Sequence, residues 1–581
     1  MADGVAKALR RTVIRSRSVI AGALGIIFLG ALAIPSEARP PLRPNGGERP
    51  MIVDARAFGV VGDGVADDGP SIARMVAAAQ RATPVTLRFP GRRTYRVASA
   101  PNRYIFDLHG SNDLTLDGGG STFEIAPNLR LIRLTDCSRV TVRRLKVDFR
   151  PLPFVDGIVE RVDGQAGRIM VRVPREEWSR PIGGPTHEDG EQAYFGMLWG
   201  DGAYGSISRH CWIDQIEAGS EPGEVVVRPT PEFREYPGLI PGRWKISLPV
   251  PGIAHRYGPG ACVVVRDCRD VRMRDLEVWS APWMAFEVIT NDGALVFDRV
   301  HVRPKPGTGR LMSSWRDGFH VKGNRASLTW EGCILEGMND DAFNISTHAS
   351  RVSEVLPDGS VAVDQRYPLG YVRWRPGDLL VAVDPDSRKL RGSSRVSVVE
   401  EGNAPAPIQG EPAAPGVTVR LAVPITGMRA GDIVWSAEAA NPHTALRRCR
   451  IRQSCRLQSP VTLEECDVIG LLWFYADPLE GPYPGPVTVR RCTLRRGRGN
   501  HENVVVCSGG STTGAPDGTA PPRALHDFRF TENRIYGGFI VEGVERVTLR
   551  GNRFLEAGAS VTLHDNVDLI DRDQRPSSAR R

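Results

Sequence analysis

Glu464-Glu465-Cys466-Asp467-Val468 and Arg490-Arg491-Cys492-Thr493-Leu494 are two copies of one short unit, and their repetition decides the fold. Each has Cys at its centre and an apolar residue two positions later. Outward from this pair, Glu331-Gly332-Cys333-Ile334-Leu335 and Arg447-Arg448-Cys449-Arg450-Ile451 have the same form. Thr531-Glu532-Asn533-Arg534-Ile535 and Arg550-Gly551-Asn552-Arg553-Phe554 put Asn in place of Cys. Short strands such as Val487-Thr488-Val489 and Val547-Thr548-Leu549 precede the copies. Asp136-Cys137 and Asp267-Cys268 open similar units, followed by Val140-Thr141-Val142 and Val271-Arg272-Met273. A strand-turn-strand unit of this length cannot bury its own apolar face, so the units must stack into a solenoid. Asn at a fixed turn position bonds to its copies above and below, and Cys packs there as a small apolar residue. A leucine-rich horseshoe fits less well, because its Leu and Asn spacing is absent.

The composition agrees. Among 581 residues there are 62 Gly and 45 Pro, with aromatics at 7%, the mix of a turn-rich β protein. The formal charge of +8 comes from 75 basic and 67 acidic residues. The arginines are spread, with no basic stripe carrying interleaved aromatics, so nucleic-acid binding is not expected. Arg10, Arg11, Arg15 and Arg17 precede an apolar run from Val19 to Ile34, and Ser36-Glu37-Ala38 offers a cleavage site. This is the layout of a secretory signal over residues 1–38. The run is short for a membrane span. Export permits disulfides, but the repeat position of six of the ten cysteines fits stacked, buried thiols better.

The expected architecture is all-β: a right-handed parallel β-helix with an N-terminal capping helix and two inserted antiparallel β-barrel or sandwich subdomains. The helix is read from Ser71 to Gln80, an amphipathic run, with Asp67 and Asp68 as its caps. The solenoid occupies residues 50–150, 251–350 and 441–565. The inserts occupy 151–250 and 351–440, where apolar and polar residues alternate between turn signals, as in Arg168-Ile169-Met170-Val171-Arg172-Val173 and Gly431-Asp432-Ile433-Val434. The Arg-rich end, 566–581, reads as a disordered tail.

Three aspartates carry the chemistry. Asp317 lies in Arg316-Asp317-Gly318-Phe319-His320; Asp340 and Asp341 lie in Met338-Asn339-Asp340-Asp341-Ala342-Phe343-Asn344. The separations, 340 − 317 = 23 and 341 − 317 = 24 residues, are about one coil. One coil advances the chain by a single strand spacing, roughly 4.7–4.9 Å, so the three carboxyls are expected in one patch. Carboxyls that close split their ionisation, as acid/base glycoside hydrolysis requires. Consecutive strand residues point to opposite faces, so Asp340 and Asp341 share a cleft only if the backbone bends at Asn339.

Asp317-Gly318-Phe319-His320-Val321-Lys322-Gly323-Asn324 and Asn339-Asp340-Asp341-Ala342-Phe343-Asn344-Ile345-Ser346-Thr347-His348 resemble glycoside hydrolase family 110, and Asp54 to Gln80 resembles the opening of the pectate-lyase-like β-helix superfamily. The resemblance implies an exo-acting α-1,3-galactosidase that inverts configuration. By likeness to polygalacturonases on the same scaffold, Asp340 would be the general acid, while Asp317 and Asp341 would activate water. The Gly-His-Gly and Arg-Ile-Lys signatures of polygalacturonases are absent, which disfavours a uronic-acid substrate.

His320 and Asn344 are candidates for binding sugar hydroxyls, with Lys322, Asn324 and His348 beside them. Trp283, Trp315, Trp473 and Tyr475 are candidate stacking platforms, and Glu287 and Glu502 candidate hydroxyl acceptors. No Cys-x-x-Cys or His-x-x-x-His pattern occurs, so no metal or cofactor is expected. The expected partner is a glycan with terminal galactose, with no membrane contact after signal cleavage. The oligomeric state stays open, a dimer included. Two other readings also stay open. One is a polysaccharide lyase on the same fold, with calcium-bound carboxylates and Lys322 or Arg325 as base. The other is a non-catalytic carbohydrate-binding or adhesive β-helix.

Overall fold

The computed structural model describes residues 50–174, 184–185, 194–200, 208–230, 239–250, 260–347, 349–365, 373–386, 390–402, 416–475, 485–497, 503–508, 525–557, 559–564, 566 and 570–571. The signal segment, most of the tail, His348 and Glu502 lie outside the described residues. No helix among the described residues is long and apolar enough to cross a membrane.

The chain folds as a right-handed parallel β-helix. One sheet of 21 strand segments contributes the paired short strands of each coil, such as Val461–Glu464 and Asp467–Ile469. An 11-stranded sheet runs along another side. Its middle strands are Val263–Arg266, Phe286–Ile289, Phe319–Lys322, Phe343–Ser346, Cys455–Leu457 and Leu472–Tyr475, all parallel and adjacent in that order. Residues facing inward form one continuous apolar core. Phe286 stacks on Phe319 with ring centroids 4.4 Å apart, and Phe319 on Phe343 at 5.4 Å.

The repeat centres form the expected ladders. Cys466 N–H donates to Cys492 Sγ at 3.4 Å, Cys492 N–H to Asn533 Oδ1 at 2.9 Å, and Asn533 Nδ2 to Asn552 Oδ1 at 2.8 Å. A second ladder runs from the Cys268 amide through Asn291 and Asn324 to Asn441, with side-chain steps of 2.8 and 2.9 Å. All ten cysteines are free and buried. Burial pushes the Cys211 and Cys262 thiols up to about 12.

The helix runs Gly69–Ala79 and buries Ile72, Met75, Val76 and Ala79 in the core. Its capping differs from expectation. Asp67 Oδ1 accepts from Gly69 N–H at 3.0 Å. Asp68 occupies the N-cap position but its carboxylate turns away and accepts from Val61 and Gly62 N–H, at 2.7 and 3.0 Å, fastening the preceding loop.

Both inserts are antiparallel. In the first, pairings run from Phe154–Asp163 through Arg168–Arg172, Glu224–Pro229, Ser208–Ala218, Tyr194–Trp199 and Lys245–Pro249 back to Phe154–Asp163, a closed circuit. The second is a closed barrel of six strands between Ser350 and Ser436. Bidentate bonds from Arg325 to Asp378, at 2.6 and 2.7 Å, dock it on the solenoid.

Two outcomes test this packing. Asn533→Ala strands the Cys492 amide and the Val489 carbonyl that Asn533 Nδ2 reaches at 2.9 Å, so urea denaturation should register a loss of about 3 kcal/mol. Native protein should also show no thiol reactive to Ellman's reagent, and all ten should react once it is denatured.

Candidate active site

The site is built by register. Phe286, Phe319 and Phe343 pair in successive strands. Counting back along the last two coils sets Asp317 beside Asp341, and Arg316 beside Asp340. The approach to these positions is also matched, because Ser314 bridges to Met338, leaving four residues per coil before the Phe319 to Phe343 pairing. Those four residues form a bend and not a strand. Gly318 N–H donates to the Asp341 carbonyl at 2.9 Å, and Ala342 N–H to the Ser454 carbonyl at 2.8 Å. Gly318 is needed here, since a Cβ would meet the Ala342 carbonyl oxygen at 2.7 Å.

The bend removes the strand alternation that would have separated Asp340 from Asp341. One carboxylate oxygen from each of Asp317, Asp340 and Asp341 lies within 4.8 Å of the others. Each carboxylate has its own partner. His320 Nδ1 lies 2.7 Å from Asp317 Oδ2, within hydrogen-bond distance. Arg316 Nη1 donates to Asp340 Oδ2 at 2.8 Å. Arg456 Nε lies 3.2 Å from Asp341 Oδ2. Asp317 is buried with its side chain 4% exposed, Asp341 shows 13%, and Asp340 is the most open at 25%.

The outward faces of the strands continue the patch. Glu287, His320, Asn344, Arg456 and Trp473 form one row in register. Lys322 is buried beside it, donating to Asn344 Oδ1 at 3.0 Å and to Ser346 Oγ. Glu287 is held by Arg266 at 2.6 Å. Trp473 and Tyr475 are half-buried and stacked on each other, 4.1 Å between centroids. The Trp283 ring carries the Arg316 guanidinium at 5.2 Å.

Two expected sugar contacts belong elsewhere. Trp315 is buried in a cluster with Phe154, Met197, Trp199, Leu311 and Met312, which joins the first insert to the loop before Asp317. Asn324 is a rung of the internal ladder, its amide donating to the Val288 carbonyl at 2.9 Å and to Asn441. Conversely, the sequence reading passed over Arg316 and Arg456, and also Asp148. Asp148 accepts from Arg310 at 2.8 and 3.0 Å, from Lys305 at 3.1 Å and from Ser280 at 2.7 Å. It thereby pins the segment that delivers Arg316 and Asp317.

The chain is similar to curated α-1,3-galactosidases. Alpha-1,3-galactosidase B of Bacteroides thetaiotaomicron is 21% identical over 442 residues, covering 70% of this chain and 67% of that protein. Alpha-1,3-galactosidase B of Akkermansia muciniphila is 23% identical over 423 residues, covering 68% of this chain and 50% of that one. The chain thus spans about half to two thirds of the length of these relatives. No known family profile matches it. Among solved structures, a Yersinia enterocolitica family 28 exopolygalacturonase aligns at 10% identity and TM-score 0.36, over 91% of this chain and 79% of that one. The catalytic unit of a GH87 alpha-1,3-glucanase from Streptomyces thermodiastaticus aligns at 10% and 0.33, over 90% and 69%.

An acidic trio is also a potential cation trap. Here His320 and Arg316 bond one oxygen of Asp317 and of Asp340, and Arg456 forms an ion pair with Asp341 at 3.2 Å. Added calcium or EDTA should therefore move the thermal midpoint by less than about 1 °C. A rise of several degrees with calcium would mean that the cation displaces the arginines.

Proposed function

We propose that this protein is an exported glycoside hydrolase that releases terminal α-linked galactose, in α-1,3 linkage, with inversion. The observation that carries the reading is the convergence of Asp317, Asp340 and Asp341 within 4.8 Å; the similarity to α-1,3-galactosidases supports the substrate. Asp340, the most open of the three, donates a proton to the leaving glycosidic oxygen. Asp317 and Asp341 hold a water, and one of them takes its proton as the oxygen attacks the anomeric carbon. His320 fixes the Asp317 carboxylate and, with Asn344, faces the sugar hydroxyls.

A neutral sugar suits this site. Arg266, Arg316 and Arg456 are each engaged by a carboxylate, and Lys322 is buried under Asn344 and Ser346. The same contacts weigh against a lyase. Arg325 is tied to Asp378 and to the Arg373 carbonyl at 2.7 Å, and Lys322 sits behind the row facing the cleft.

The carboxylate spacing makes stereochemistry the deciding measurement. Inverting enzymes hold their carboxyls about 6.5–9.5 Å apart and retaining ones about 5–5.5 Å, and the nearest oxygens here are closer than the inverting range. With the methyl β-glycoside of galactosyl-α-1,3-galactose as substrate, so that the leaving sugar cannot mutarotate, NMR should detect β-galactose first. First-formed α-galactose would replace inversion by a double displacement through a covalent galactosyl-enzyme. Asp340→Asn and Asp317→Asn should each cut kcat by about 10³-fold while leaving the thermal midpoint in place; full activity in either variant removes the role assigned to it. Export rests on the residues 1–38 pattern, and N-terminal sequencing of the mature protein from its native host tests it.

A further inference from the structure

In the proposed reaction two adjacent aspartates take different parts. Asp340 and Asp341 are consecutive, share a bend and meet the same third carboxylate. Their arginines differ in origin. Arg316 comes from the preceding coil, lies on the Trp283 ring at 5.2 Å and takes Asp340 Oδ2. Arg456 comes from the following coil, beyond the whole second insert, and lies against Asp341 Oδ2 at 3.2 Å.

We propose that Arg456 is a positioning residue that holds Asp341 as the ionised, water-activating base and so separates its role from that of Asp340. The proposal deepens the glycosidase reading and rests on it. Arg456 stands in register with Asn344 and His320, and its guanidinium runs back along the sheet to a carboxylate three residues before Asn344. A base must be unprotonated when water arrives, and a guanidinium, always charged, favours that form. Arg316 bonds Oδ2 of Asp340, the more exposed carboxyl, and among the described residues Oδ1 takes no hydrogen bond from it. That oxygen is the one placed to carry a proton to the leaving group. In the reaction, water gives its proton to Asp341 as its oxygen bonds to the anomeric carbon, the glycosidic bond breaks, and the leaving oxygen takes the proton of Asp340.

Among the described residues, the charged and titratable groups around Asp341 are Asp317 and Asp340, His320 and Lys322 on the coil before, Arg316, and Arg456 with Cys455 on the coil after. Glu287 and Arg266, farther along the row, neutralise each other. Burial holds the Cys455 thiol well above its ordinary range, and the Asp341 charge adds to that, so this thiol stays neutral. Among these groups Arg456 is the permanent cation paired with Asp341, at 3.2 Å.

The test compares Arg456→Gln, Arg456→Lys and the parent enzyme on a galactosyl-α-1,3-galactose substrate. Arg456→Gln should lower kcat about 10²-fold with KM changed less than about threefold. The acid limb of its kcat/KM profile should move up by about one pH unit, and Arg456→Lys should recover roughly tenfold of the loss. A rise in KM alone would overturn the proposal and make Arg456 a substrate contact, and an unmoved acid limb would reduce it to packing. Crystal structures of both variants supply a readout independent of turnover. The Asp341 carboxylate should rotate away in Arg456→Gln and keep its place in Arg456→Lys. An unchanged carboxylate in Arg456→Gln refutes the positioning role. A parent enzyme inert on every α-galactoside refutes the glycosidase reading instead.

Discussion

Phe286, Phe319 and Phe343 stacked inside the solenoid fix the register on which everything outside depends. A strand has a side-chain period of two, so a slip of one residue would turn these rings to solvent and bury His320 and Asn344 in their place. Aromatic area makes such a slip costly. The in-register rings therefore also fix the positions two and three residues upstream, where Asp317 meets Asp341 and Arg316 meets Asp340. The chemistry is aligned by a core that never touches it.

Stacking alone would not place the bend before each strand. The first insert and Asp148 do that work together. Trp315 packs on Phe154 of the first insert at 6.5 Å between centroids, Leu311 N–H donates to Asp156 at 3.0 Å, and Arg310 and Lys305 converge on Asp148. The second insert contributes differently. It leaves the solenoid directly after Thr347 and returns the chain at Asn441, whose amide completes the Asn324 ladder and donates to the Ser346 carbonyl at 2.7 Å. A long excursion is thus closed without disturbing the stacking of adjacent coils, and Arg456 arrives beside Asn344 as if no insert intervened.

That closure explains what the sequence could and could not disclose. The solenoid was legible because its repeat has a period, and the aspartates were legible because only one uninterrupted coil separates Asp317 from Asp340. Arg456 was not, because counting register needs a contiguous coil, and the second insert hides the count. Trp315 and Asn324 misled for a related reason. Both sit near the aspartate motif in sequence. The partner that buries Trp315 comes from the first insert, and the partners of Asn324 are rungs from coils on either side. The expected capping at Asp68 failed because a carboxylate near a helix start has several amides to choose from, and the Val61 and Gly62 amides lay within reach.

Bringing three carboxylates this close works against folding. Two unit charges about 4 Å apart repel by roughly 4 kcal/mol at an effective dielectric of 20, and the trio contains three such pairs if all are ionised. The solenoid meets this with cations that are themselves placed by stacking: Arg316 over Trp283 on one side, Arg456 in the Asn344 row on the other, and buried Lys322 behind. The ionised carboxylates then face the positive charges of Arg316, Arg456 and Lys322 across a few coils. Such a balance can persist in a half-buried cleft because both signs are rigidly held, whereas mobile surface pairs gain little. The most open member of this rigidly framed patch is Asp340, the carboxyl with the freest approach from solvent.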